Sequence, residues 1–407
     1  LKRVVVTGMS AITALGDDWG TVRERLQSGA SAITRYAEWD RFQDLRSHLA
    51  APVTQFEKPK EYSRKLTRSM GRVSLMATRA TERALTEAGL LDDPIIQDGR
   101  MGVSYGSSSG SPAALEDFTR MLIANSMKGI SANTYIKMMA HTAPVNLGVF
   151  FGLTGRTITT CSACTSGSQG IGYAFEAIRH GKQKLMVAGG AEELHISQVG
   201  IFDTLFATSV RNDEPQSTPR PFDKERDGLV LGEGACTFVL EELEHAQERG
   251  ARIIAEVVGF CSNTDGAHVT QPNPETMQLC LRGALEDAAL EPEAVGYVSA
   301  HGTATELGDI AESVATNAVF GSRMPTSSLK SYIGHTLGAC GAIEAWASIH
   351  MMNDGWFHPT LNLEALDPKC AQLDYLVGQG REIRTDCVMS NNFAFGGINT
   401  SLLFRKF

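Results

Sequence analysis

Apolar runs and amphipathic stripes alternate along the whole chain. "RVVVTG" (Arg3–Gly8) is an apolar run closed by glycine, which predicts a buried strand leading into a turn. Between Val73 and Ala88, apolar residues fall at Val73, Met76, Ala77, Ala80, Ala84 and Ala88, the spacing of one helix face. "RMGVSYGSSSG" predicts a strand that enters a Gly/Ser loop, and "RTITT" (Arg156–Thr160) predicts another strand. A helix is expected next. Its stripe is Gly170, Ile171, Ala174, Ala177 and Ile178, with Arg179 and His180 in the last turn and Gly181 at the stop. "KLMVAGGAEE" then reads as a buried strand.

The same order restarts near Ala251. "ARIIAEVVGF" opens with strand character, and "GYVSAHGTAT" predicts a strand over Tyr297–Ala300 that ends at His301. "TSSLKSYIGHTLGACGAIEAWASIHMMNDG" predicts a strand, a loop and a helix. The helix stripe is Ala339, Ala342, Ile343, Trp346 and Ile349, and Gly355 closes it. Residues 200–250, which include "RNDEPQSTPRPFDKERDGLVLGEG", read as a polar, turn-rich excursion at a surface or site rim. Strand and helix alternate, so the class is α/β. Two similar halves are expected, 1–250 and 251–407, although no literal repeat is visible.

Composition narrows the function classes. Of 407 residues, 43% are hydrophobic and 20% charged, which suits a globular core. The net charge of −9 argues against nucleic acid, which calls for a concentrated basic surface. No apolar run approaches the roughly 20 residues of a membrane span, and the N-terminal run is too interrupted for a signal peptide. Eight cysteines in mostly apolar surroundings suit free thiols in a reducing cytoplasm.

Four segments carry candidate chemistry. "TTCSACTSGSQGIG" places Cys164 between a strand and a Gly/Ser-started helix, where unpaired N–H groups and the helix dipole favour a thiolate. Cys161 and Cys164 also form a CxxC pair, but a zinc site needs about four ligands and no second pair exists. A redox pair remains open, and it leaves two histidines unused. His301 lies at a strand end beside Gly302 and Thr303, and His335 lies between Gly334 and Thr336. A cysteine with two such histidines suits covalent acyl transfer, the thiolate attacking and the imidazoles donating to developing negative charge. Lys330 can pair with Glu344, or both can be solvated. "SNNFAFGGINTS" is a Gly-containing loop whose N–H groups can complete an oxyanion hole with that of Cys164; it also reads as a hairpin turn.

Taken together and in order, "ACTSG", "RPFDKERDG", "AHGTAT…GD", "SLKSYIGHTLGACGA(I)E" and "NNFAFGGIN" resemble the β-ketoacyl-[acyl carrier protein] synthases of the elongating KAS I/KAS II type, over essentially the whole chain. The resemblance implies a thiolase-like fold of duplicated α/β halves in five α-β-α-β-α layers. It implies an acyltransferase that joins an acyl-enzyme to a malonyl thioester, with loss of CO2 and growth by two carbons. Cys164 matches the nucleophile and His301 and His335 the two histidines of decarboxylation. Lys330 and Glu344 match the charged pair, and Phe395 the gating residue whose N–H joins that of Cys164. Thr303 and Thr305 match the threonines that hold the phosphopantetheine arm. Thr270, Phe202, Ser109 and Phe393 match further substrate-binding positions. The implied partner is an acyl carrier protein, itself acidic, which brings the 4'-phosphopantetheine; no metal or redox cofactor is expected. Arg64, Lys65 and Arg68 in "SRKLTR" are the expected carrier-docking patch. A homodimer is expected, or a heterodimer with a paralogue.

Several positions depart from the pattern. Ser109 replaces a bulky apolar residue at the acyl pocket, Phe206 a carrier-docking arginine, and Ala394 a glycine of the gating loop. Glu306 adds a carboxylate beside the threonines, and Cys161 stands where a small non-thiol residue is usual. Cys161 is expected to pack beneath Cys164 as a small apolar side chain. These changes leave two pathways open, fatty acid elongation and a dedicated ketosynthase of polyketide or aryl-polyene assembly. A silent chain-length factor would lack Cys164, and an enzyme using coenzyme A would show Cys-His-Cys or Cys-His-Asn.

Overall fold

The computed structural model describes residues 1–407. Its main strands are β1 (Val4–Ile12), β2 (Met101–Gly106), β3 (Thr157–Thr160), β4 (Leu185–Glu192), β5 (Gly234–Glu242), β6 (Ala255–Thr264), β7 (Tyr297–Ser299), β8 (Pro325–Ser327), β9 (Cys387–Ala394) and β10 (Ile398–Arg405). With the two-residue strand Asp374–Tyr375 they form one eleven-stranded sheet. The helices that position the site are α1 (Arg72–Glu87), α2 (Thr142–Phe151), α3 (Ser166–Arg179), α4 (Ile196–Thr204), α5 (Pro274–Ala288), α6 (Glu306–Phe320) and α7 (Cys340–Asp354).

The two ends of the sheet follow one plan. In the first, β1 pairs antiparallel with β5, β5 antiparallel with β4, β4 parallel with β2, and β2 parallel with β3. In the second, β6, β10, β9, β7 and β8 repeat those relations in that order. β1 and β6 pair antiparallel at the join, Val5 opposite Glu256. Helices α3 and α7 pack on each other between the two ends of the sheet, while α1 and α2 cover one outer face and α5 and α6 the other. This is the five-layer thiolase-like architecture, with the sheet continuous through its centre.

Small residues set how closely the central helices cross. A Cβ on Gly167 would meet the Gly338 carbonyl oxygen at 2.8 Å, and one on Gly341 would meet the Ser168 nitrogen at 2.7 Å. The N-termini of α3 and α7 therefore touch through backbone, and every residue from Cys340 to Ile349 is buried.

Two boundaries differ from the sequence pattern. Gly8 does not end its strand; β1 continues to Ile12 past a bulge between Val6 and Gly8. A Cβ there would lie 2.2 Å from the Ala84 carbonyl of α1, so the glycine serves a close crossing rather than a turn. The excursion expected over 200–250 is also too long. Its last part, "GACTFVLEE", is β5, buried at every position and seated between β1 and β4. Its mixed apolar and polar composition hides a strand covered on both faces.

Candidate active site

Cys164 stands where β3 turns into α3. The chain passes through a short 3-10 turn that opens at Ala163, φ 50°, and then enters the helix. The strained residue before it aims the thiol into a cavity of about 410 Å3, within the range of small-ligand sites. Cys164 is buried. Its own backbone N–H and that of Phe395 favour the charged form of the sulfur.

Both histidines come from the second half. His335 Nε2 lies 3.0 Å from Cys164 Sγ. The backbone N–H of Leu337 donates to His335 Nδ1 at 3.1 Å, so the proton of the neutral ring sits on Nε2 and faces the sulfur. His301 Nδ1 faces two donors, Lys330 Nζ at 3.2 Å and Asn392 Nδ2 at 3.3 Å. Its proton is likewise placed on Nε2, which is buried without a protein partner. Burial holds both rings well below the usual histidine value, helped by the Lys330 charge. Two neutral imidazoles, 5.2 Å apart, thus offer N–H donors beside one sulfur.

Lys330 is buried and ion-paired with buried Glu344. Asn392 Nδ2 donates to the other Glu344 oxygen at 2.7 Å. The pair is not solvated. It fixes a positive charge behind His301 and is held by β9. Glu312 of α6 accepts the N–H groups of His301 (2.6 Å) and Gly302 (2.7 Å), which fixes the end of β7. Asn392, Glu312 and the Leu337 N–H were not singled out in the sequence. Asp309 and Glu312, one helical turn apart and both buried, carry a readable trace: two carboxylates on one inward face must be holding donors.

The thiol itself differs from expectation. Burial raises Cys164 to about 12, against the Lys330 charge and the N–H groups of Phe395 and Cys164, which lower it. Desolvation outweighs the helix N-terminus, so the resting sulfur keeps its proton.

Other predicted residues fall into three groups. Thr303, Thr305, Thr270, Phe202 and Phe393 line the cavity with Phe395, and the Thr303 and Thr305 hydroxyls lie 2.8 Å apart. Phe202 stacks against Phe395 at 5.1 Å. The hairpin turn after β9 is pinned from outside by Gly396 N–H to the Val269 carbonyl at 2.8 Å. Ser109 does not reach the cavity. Its hydroxyl donates to buried Glu192 and accepts from Gln198, which draws it into a polar cluster. Cys161 does not pack beneath Cys164. It is exposed, with its thiol against the Ser108 carbonyl oxygen at 3.5 Å. Arg64, Lys65 and Arg68 are exposed on and beside the four-residue helix Arg64–Thr67, and none lines the cavity.

Comparison with known proteins agrees with this geometry. The family profiles "Beta-ketoacyl synthase, N-terminal domain" and "Beta-ketoacyl synthase, C-terminal domain" match residues 1–246 and 254–364. The chain is 37% identical to 3-oxoacyl-[acyl-carrier-protein] synthase 2 of Synechocystis sp., over all of this chain and 98% of that protein. The crystal structure of a beta-ketoacyl synthase from Burkholderia phymatum superposes with a TM-score of 0.99 at 58% identity, all of both chains being covered. A type II PKS acyl-carrier protein in complex with its ketosynthase bound to the hexaketide matches with a TM-score of 0.85 at 31% identity, over 100% of this chain and 99% of that one.

Proposed function

The chain belongs to the beta-ketoacyl synthase family, an acyl-transferring condensing enzyme, and from that premise we propose how its residues divide the work. The observation that carries the reading is that the Cys164 sulfur and a ring nitrogen of each histidine lie within 4.8 Å of one another, with His335 Nε2 3.0 Å from the sulfur and His301 Nε2 buried without a protein partner.

Cys164 attacks an acyl thioester. The carbonyl oxygen becomes an oxyanion and takes the N–H groups of Cys164 and Phe395. The carrier leaves as its thiol, with the proton that Cys164 gives up. A malonyl thioester on an acyl carrier protein then enters past Thr303 and Thr305. Its thioester oxygen accepts from His301 and His335, CO2 departs, and the electron pair left behind is held as the enolate. That carbon attacks the acyl-cysteine through the same oxyanion hole. The C–S bond breaks, Cys164 takes up a proton from solvent, and a β-ketoacyl thioester two carbons longer remains on the carrier. Neutral rings suit this task, because a protonated ring beside Lys330 would cost more than the hydrogen bond gains. The chemistry draws only on side chains and backbone; no metal or redox cofactor enters it. β3 ends the sheet with most of its residues open to solvent, which gives a second copy, or a paralogue, an edge on which to extend it.

The reading is tested with malonyl-carrier and a panel of saturated, unsaturated and polyene acyl-carriers. Saturated primers are expected to lengthen by two carbons, with one CO2 released per product. Turnover confined to conjugated primers would move the chain to polyketide or aryl-polyene assembly, and failure on all primers would refute condensation.

A further inference from the structure

Glu192 is a buried carboxylate that the condensing mechanism leaves unused. It ends β4, its side chain is fully buried, and it accepts from four groups. One oxygen takes the Ser107 and Ser109 hydroxyls at 3.1 and 3.2 Å. The other takes the N–H groups of Ser108 at 2.8 Å and Gly338 at 2.9 Å. All four donors are neutral. A carboxylate held in the interior with no cation among its partners is costly, so the question is what its grip on those donors achieves.

Three of the donors belong to the loop that follows β2 in the first half. The fourth belongs to the turn that opens α7 in the second. There the chain passes through Leu337 at φ 46°, a left-handed geometry that a leucine keeps only under constraint. The Leu337 N–H donates to His335 Nδ1 at 3.1 Å, and the N–H of the next residue is the one bound to Glu192. Gly338 is fitted to that contact, since a Cβ there would lie 2.6 Å from the Ser108 nitrogen and 2.8 Å from Glu192. The His335 main chain is fixed separately. Its N–H donates to the Val230 carbonyl at 2.7 Å, and its carbonyl accepts from the Gly232 N–H at 2.9 Å. The orientation of the ring is left to the Leu337 turn, and the turn is left to Glu192.

We propose that Glu192 is a positioning residue for His335: from the first half it holds the Leu337–Gly338 turn in its left-handed shape, and so keeps the His335 Nε2–H aimed at the malonyl thioester oxygen. The proposal rests on the condensing reading above. It assigns Glu192 to the decarboxylating step, because acyl transfer to Cys164 draws on the backbone N–H groups of Cys164 and Phe395.

The test uses the full chain and follows the two steps separately. Cys164 is first charged from an acyl-carrier and the adduct is measured by mass spectrometry. Saturating malonyl-carrier is then added and CO2 release is timed. Glu192→Gln keeps an amide oxygen for the two N–H groups and turns its nitrogen to the two hydroxyls, which accept as well as donate. It is expected to stay within about threefold of the unchanged protein in both steps. Glu192→Met leaves both N–H groups without an acceptor. It is expected to slow CO2 release about tenfold or more, while acylation changes less than about threefold. Its CO2 release is also expected to fail at a higher pH than in the unchanged protein, because a ring that loses the Leu337 N–H takes up a proton more readily. Should Glu192→Met fail to fold, Glu192→Asp carries the same comparison: it keeps the charge and draws the oxygens back from Gly338. Equal losses in acylation and CO2 release, or CO2 release at the unchanged rate, would overturn the proposal. An unchanged protein that acylates and releases no CO2 would refute the condensing reading instead.

Discussion

In the first half the chain enters α3 through Ala163 at φ 50°; in the second it enters α7 through Leu337 at φ 46°. Each residue opens a three-residue 3-10 turn at the head of a central helix. The next residue is Cys164 in one and Gly338 in the other. Cys164 faces the cavity. The place of a Gly338 side chain is already filled by the Ser108 nitrogen at 2.6 Å and Glu192 at 2.8 Å, and the Gly338 N–H donates to Glu192. Two residues before each elbow stand Cys161 and His335. His335 reaches Cys164, whereas Cys161 points to the surface. One backbone device thus yields an open seat and a closed joint. The open seat supplies the nucleophile, and the half with the closed joint supplies both imidazole hydrogen-bond donors.

The harshest trial of this comparison replaces the two cysteines separately. Cys164→Ala is expected to abolish the acyl adduct and lower condensation by roughly 10³-fold or more. Cys161→Ala is expected to change it less than about twofold, since an exposed thiol outside the cavity touches no reacting atom. Mass spectrometry of the acylated protein and the elongation rate check both. A loss at Cys161 equal to that at Cys164 would mean the CxxC pair acts as a unit.

Next comes the charge that only the second half holds. Lys330 and Glu344 are both buried, so removing one partner strands the other. Glu344→Ala is expected to destabilise the protein by about 3–5 kcal/mol. The double replacement Lys330→Met with Glu344→Met is expected to cost less than Glu344→Ala while activity is still lost. Chemical denaturation and the elongation rate separate the two effects. If the double variant were the less stable, the pair would be supporting the fold rather than tuning His301.

Which parts of this were legible in the sequence follows from range. Cys164 heads a Gly/Ser-started helix, His301 follows a strand end and His335 follows a glycine, and local pattern marks such positions. The helix α3 was readable from its stripe and stop because both are short-range. What escaped depends on partners far along the chain. Gly8 reads as a turn until α1 is seen crossing it. β5 reads as part of a loop until both its neighbours are in place. Asn392 has nothing local to mark it, since its partners are His301 and Glu344. Cys161 and Ser109 were misjudged for the same reason. The Ser109 hydroxyl turns toward Glu192 and Gln198, and the exposed Cys161 thiol lies against the Ser108 carbonyl oxygen, neither of which spacing alone announces. The Cys164 thiol was read from its helix terminus, and the burial that outweighs the terminus is a property of the whole fold.

The finest distinction between the halves concerns acid. The four histidines pushed down by burial, His301, His335, His350 and His358, all lie in the second half. A ring near 6.5 when unfolded and lower when folded takes up a proton first in the unfolded chain. Its contribution is whole above about pH 6.5 and is lost as pH falls toward the folded value. Buried Glu312, raised to about 8, works in the opposite sense over the same range, so the total curve mixes both. His358 isolates one component. It is fully buried, its Nδ1–H donates to the Pro359 carbonyl at 2.9 Å, and it is lowered to about 4. His358→Gln keeps a donor and removes the titration. Relative to the unchanged protein, the variant is expected to gain about 1.4 kcal/mol between pH 7.5 and 5.5. Paired denaturant melts at the two pH values give that difference directly. Parallel curves would place the acid sensitivity elsewhere and remove His358 from the contrast between the halves.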